Sequence, residues 1–161
     1  MNPSAEDILC QAKVQLEQAG HPQPACSPDA LETIQRTWPE EFGYEFPPEY
    51  ADLVRIVNGG LESGEFQLGY VPDPASEVDQ LRRKAHREDL LQLNRRMRDS
   101  HGNEMRRKLF FFGSGVEAYY ALDLESREVV ELDATFIDDR PLATWRSLDQ
   151  FIIDFIWDGC C

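Results

Sequence analysis

Phe46-Pro47-Pro48-Glu49-Tyr50-Ala51-Asp52-Leu53-Val54-Arg55-Ile56-Val57-Asn58-Gly59-Gly60 is the stretch on which the architecture turns. Two prolines cannot continue a helix but can open one, since proline presets φ and the first helical turn needs no amide donor. Tyr50, Leu53, Val54 and Val57 then recur at helical spacing and give one apolar face. Asn58-Gly59-Gly60 accepts left-handed backbone angles at little steric cost, so it stops the helix. The segment reads as a short, sharply bounded helix that delivers the chain into a turn.

Working outward, residues 5–19 read as a first helix, with Ser4 as its cap, Glu6 and Asp7 at its positive end and Gly20 as its stop. His21-Pro22-Gln23-Pro24 is a break. Ser27-Pro28-Asp29 opens a second helix through Leu31, Ile34 and Trp38. Pro39 to Tyr44 reads as the loop into the Phe46 segment. After Gly60, the alternation over Gly64 to Tyr70 predicts a half-buried strand that Val71-Pro72-Asp73-Pro74 ends.

A basic helical stretch comes next and runs to about Asn94 or beyond, with Asp99-Ser100-His101-Gly102-Asn103 as a break. Leu109-Phe110-Phe111-Phe112-Gly113, Ala118 to Leu124 and Glu128 to Leu132 are strands separated by turn residues, which makes an antiparallel meander. Ser147-Leu148-Asp149-Gln150 caps a last helix that turns Leu148, Phe151, Ile152, Phe155 and Ile156 inward. Helices first, strands in the middle and a helix last predict a single α+β domain over residues 1–161. Its one antiparallel sheet has about four to six strands, flanked by N-terminal helices and a C-terminal helix.

The 161 residues carry a net charge of -14 and are 42% hydrophobic, which suits a folded globule. No apolar run is long enough to span a bilayer, and the N-terminus lacks a basic start and an apolar core, so a cytoplasmic location is expected. Of the four cysteines, Cys10, Cys26, Cys160 and Cys161, Cys10 sits on an apolar helical face and reads as a buried reduced thiol. Cys160-Cys161 ends the chain, with Asp158 where a prenylation motif needs its cysteine. No cysteine pair has zinc spacing, and no cofactor or metal is expected.

The charge is unevenly spread. Residues 1–80 hold 15 acids against Lys13, Arg36 and Arg55, a net -12. Residues 81–108 hold 10 bases against four acids, a net +6, and residues 109–161 return to -8. Such a chain repels nucleic acid and anionic membranes and attracts a basic partner. The basic segment lacks the aromatics that stack on bases. Leu81, Ala85, Leu90, Leu93 and Met97 fall at helical spacing within it, so it reads as a solvated helix that offsets the acidic remainder.

The order of these signatures resembles the SUKH superfamily. Its pattern is an apolar-Pro-x-x-Tyr helix ending in Asn-Gly-Gly, here Phe46 to Tyr50 and Asn58 to Gly60. An aromatic strand and Gly-rich turn follow (Phe110 to Gly115), then a Tyr-Tyr-Ala-Leu-Asp strand (Tyr119 to Leu124). A further strand (Val129 to Leu132) and a Ser-Leu-x-x-Phe helix (Ser147 to Phe151) complete it. The match covers about residues 28–157. It departs from the family in the Gly113-Ser114-Gly115-Val116-Glu117 turn and in a longer basic helical insert at about 78–108. The resemblance implies a non-enzymatic binding protein: an immunity protein that neutralises a cognate basic toxin, often a nuclease, by direct contact. The alternative it implies is an interaction or regulatory scaffold with no toxin partner.

Acids beside turns are the expected contact residues: Glu62, Glu65, Asp73, Glu117, Asp138 and Asp139. Trp145 reads equally as an aromatic anchor and as a packed residue ahead of the last helix. A catalytic site does not assemble. His21, His86 and His101 have no partner at triad or metal spacing, and neither a Gly-x-Ser-x-Gly elbow nor a phosphate loop occurs.

Overall fold

The computed structural model describes residues 2–63, 66–84, 89–102, 105, 107–135, 137 and 140–156. Helices α1 (Ala5–Gln18), α2 (Pro28–Phe42) and α3 (Pro48–Val54) come first. Strands β1 (Glu62–Ser63) and β2 (Phe66–Leu68), then helices α4 (Glu77–Lys84) and α5 (Leu90–His101), lead to the meander. Strands β3 (Leu109–Ser114), β4 (Ala118–Asp123), β5 (Val129–Asp133) and β6 (Ala143–Trp145) precede α6 (Leu148–Phe151), which runs on as a π-helical turn, Ile152–Ile156. All six strands form one antiparallel sheet in chain order. The chain is therefore an α+β domain.

The helix starts follow local chemistry. Ser4, Ser27 and Ser147 each accept from the backbone amide three residues on, and Asp7 returns a bond to the Ser4 amide in a capping box. Helix α2 does not stop at Pro39 as expected but continues to Phe42, with Gly43 as its left-handed cap. The proline forfeits one amide donor, yet the added turn lays Phe42 on the fully buried Trp38 with ring centres 4.2 Å apart. Helix α3 starts at Pro48 as read, but its last helical residue is Val54. Residues 55–57 make a looser turn ahead of Asn58-Gly59-Gly60.

Both faces of the sheet are covered. Phe110 and Phe112 of β3 and Tyr120 and Leu122 of β4 meet the N-terminal and C-terminal helices on one face, where Trp38 lies 5.3 Å from the rings of Phe46 and Phe110. Phe111, Ala121, Val130 and Leu132 meet Leu93 and Met97 of α5 on the other. The basic segment therefore forms two helices, and the second is not merely solvated. It covers the far face, and helix runs through Asp99, Ser100 and His101, where a break was expected. Two of its cations reach back to α2: Arg95 forms two hydrogen bonds to Glu41, and Arg98 lies over the Phe42 ring.

The remaining differences are small. Strand β2 is shorter than read, and Tyr70 makes a separate bridge to Asp89. Strand β6 was not expected; three residues pair with Val129 to Glu131. Cys10 is exposed, because the buried stripe of α1 is Ala5, Ile8, Leu9 and Ala12 and Cys10 points away from it. Ala85 lies outside the described residues, as does the Cys160-Cys161 end. No described helix is long and apolar enough to cross a membrane.

Candidate interaction surface and the Arg82 cleft

The exit from α3 fixes the segment that follows β2. Asn58 is buried and acts as a two-pronged clamp: its amide nitrogen donates to the Val71 carbonyl at 2.8 Å and its oxygen accepts from the Val71 amide at 2.7 Å. Tyr50 donates its hydroxyl to the Gly69 carbonyl, and burial pushes its pKa up. Gly59 and Gly60 both have φ of +74°. A Cβ on Gly59 would stand 2.6 Å from Tyr70 Cβ, so the close approach requires glycine. The family-like motif is thus a structural joint.

That joint places Asp73, and the placement corrects an expectation. Asp73 is buried at 3% exposure and cannot meet a partner. Its carboxylate accepts from the Ser27 amide at 2.9 Å and from the Ser27 hydroxyl at 3.0 Å, while Ser27 caps α2. A proline-flanked acid that reads as a surface turn is the tether of a helix start.

Asp79 and Arg82 of α4 lie beside it. Asp79 accepts from the Asp73 amide at 3.3 Å, and Arg82 Nη1 stands 3.9 Å from Asp79 Oδ1. Arg82 is 4% exposed and lies over the Tyr70 ring. Its Nη2 donates to the side-chain oxygen of Gln23 at 3.2 Å, whereas its Nε and Nη1 make no hydrogen bond. The neighbouring Cys26 thiol is pushed up to about 12 by burial and then by Asp73, so it stays protonated.

Arg82 and Gln23 line a cleft of about 620 Å³ between the C-terminal half of α1 and α4. Ala12 and Leu16 of α1, Leu68 of β2 and Val78 of α4 supply its apolar wall. Leu81 lines it too while remaining 62% exposed. Nothing in the residue pattern of the basic segment marked this cleft. Leu81 read only as one apolar residue at helical spacing in a solvated helix.

The other expected contact residues do not gather into one patch. Glu117 is exposed at the β3–β4 turn, where its carbonyl accepts from the Ala134 amide. Glu62 lies in edge strand β1 opposite Gln67, and its side chain is outside the described residues. Glu65, Asp138 and Asp139 also fall outside them, as does His86. Trp145 packs: its ring lies 4.9 Å from Phe151 and 6.0 Å from Phe155. The outer side of α2 carries what the turns do not. Asp29, Glu32 and Glu40 are exposed at positions i, i+3 and i+11, with Arg36 between them.

Glu131 of β5 is half-buried opposite Tyr120, and burial holds its carboxyl above the ordinary carboxylate range. Tyr120 is likewise raised to about 12, by burial and then by Glu131. Between the unfolded and folded carboxyl values, the native state keeps a proton that the unfolded chain has released. Stability therefore falls as pH rises through that window. Glu131→Gln is expected to melt a few degrees above the parent at neutral pH and level with it in acid. A thermal-melt series across pH checks this, and a gap that persists in acid refutes the assignment.

No protein-family model matches the chain, and neither does any curated protein.

Proposed function

We propose that the chain is a SUKH-type immunity protein that binds a basic toxin domain, a nuclease by preference, and neutralises it by direct contact. One observation carries this reading: five described arginines pair with acids of the chain itself, while exposed acids on α2 and at the β3–β4 turn do not. Arg95 and Arg98 go to Glu41, Arg127 to Glu49, Arg107 to Asp123 and Arg55 to Asp52. The exposed acids Asp29, Glu32, Glu40 and Glu117 make no ion pair with the described residues. A basic phosphate-binding surface is the complement of such a face. The element order, with its proline-opened α3, meander and Ser147-capped end, supports the family resemblance.

The test pairs the purified protein with the secreted toxin encoded beside its gene. Binding is expected at nanomolar strength and to weaken steeply with added salt. Reversing Asp29, Glu32 and Glu40 together to lysine is expected to slow association about tenfold and to change dissociation far less. A toxin that ignores the protein at low salt, or rates untouched by the triple variant and by Glu117→Lys, would sink this reading and this surface respectively. Binding without neutralisation favours the regulatory scaffold.

A further inference from the structure

We propose that Glu131 of β5 and Trp145 of β6 form a shelf near the sheet edge that seats an arginine side chain of a basic protein partner. The guanidinium lies on the indole and pairs with the carboxylate. The proposal rests on the reading of the chain as a binder of a basic protein, and it adds a point of close contact apart from the acids of α2.

Three observations carry it. First, strand register puts the groups together. Glu131 stands opposite Tyr120 on one side and Ala143 on the other, and Trp145 follows Ala143 by two residues, so all four share one face of the sheet. Tyr120, Trp145 and Phe155 form a ring cluster there, with centres 5.2–6.3 Å apart. Trp145 and Phe155 are only half-buried, which leaves aromatic surface open beside Glu131. Second, Glu131 breaks the pattern of its surroundings. Tyr120, Leu122 and Val129 on this face belong to the apolar core. Among the described residues the Glu131 carboxylate accepts no hydrogen bond and meets no cation, and burial disfavours its charge. Asp133, two residues on in the strand, and Asp154, beside Phe155 in the chain, are acids too. A carboxylate set into the core edge at a cost, with no partner of its own, is complementary to a cation supplied from outside. Third, arginine suits this pair of groups. Its guanidinium is weakly hydrated, stacks on aromatic faces and pairs with carboxylates through two parallel bonds. The chain makes both contacts within itself: Arg82, Arg96 and Arg98 lie over the rings of Tyr70, Tyr119 and Phe42, and Arg127 forks onto Glu49. No described cation lies over Trp145, although an indole is the best acceptor of the aromatic side chains.

The probe is N-acetyl-arginine methylamide, with N-acetyl-citrulline methylamide as its uncharged match, titrated into the full chain and followed by the Trp145 indole N–H resonance. A saturable shift is expected with the arginine probe, and binding about tenfold weaker with citrulline or in Glu131→Gln. That variant keeps the fold, since it removes a charge that burial disfavours. In the toxin complex, Glu131→Gln is expected to speed dissociation about tenfold and leave association near the parent's, the reverse of the α2 triple variant. No saturable shift at Trp145, equal binding of the two probes, or a toxin dissociation rate unchanged in Glu131→Gln overturns the shelf. Shifts at the Asp29 and Glu32 amides that titrate together with Trp145 would show diffuse attraction to an acidic chain and overturn it as well. None of these results touches the salt dependence of toxin association or its slowing in the α2 variant, so the two readings fail separately.

Discussion

Asn58→Leu is expected to cost about 2–5 kcal/mol of folding stability, a large share of the total for a domain of this size. Leucine keeps the branching of asparagine and is the larger side chain, so none of the loss comes from a cavity. It comes from Val71, whose amide and carbonyl both lose their partner inside the core. Each orphaned buried group costs about 1–3 kcal/mol. Urea unfolding measures the loss directly, and Asn94→Leu supplies the parallel case. Asn94 of α5 donates to the Phe111 carbonyl at 2.8 Å and accepts from the Phe111 amide at 3.0 Å. It stands in for a strand neighbour, because β2 pairs with β3 only at Gly113 and Ser114. Losses below about 1 kcal/mol at both sites would show that water replaces these clamps, and the joint would then not hold the fold.

The two asparagines also mark where residue patterns stop being informative. The three serine caps were legible because each acts on an amide three residues away. The strands from Leu109 to Leu132 were legible because apolar residues dominate them and turn residues separate them. Pro39 misled because a local rule met a distant gain: Phe42 packs on Trp38, and Trp38 on Phe110 of a strand far along the chain. Asp73 misled for the same reason, since its partner Ser27 lies 46 residues earlier. Strand β6 exists through its pairing with β5 and has little signal of its own. The acidic surface was legible as composition. Its location was not, because the pairing of Glu41 and Glu49 with distant arginines decides which acids remain outward.

Gly59→Ala is expected to be far more damaging than Gly60→Ala, although the two glycines share a φ of +74°. The left-handed backbone costs an alanine about 1–2 kcal/mol at either position, and reduced freedom of the unfolded chain adds a similar small penalty removal to both. The difference lies in what the new methyl meets. At Gly59 it meets Tyr70 Cβ at 2.6 Å and Tyr70 Cα at 3.2 Å, and Tyr70 is tied down by the Asn58 clamp on Val71 beside it. The backbone must shift, which adds about 1–3 kcal/mol. At Gly60 it meets the side chain of Gln23 at 2.1–2.5 Å, and a flexible side chain can swing away. Its departure has a specific consequence: Arg82 Nη2 loses the acceptor it holds at 3.2 Å. Gly60→Ala should therefore retain most of the parent's stability while shifting the Arg82 side-chain resonances. Equal urea midpoints for the two variants would show that backbone angle alone decides the cost. A silent Arg82 in Gly60→Ala would show that Gln23 does not govern the cleft.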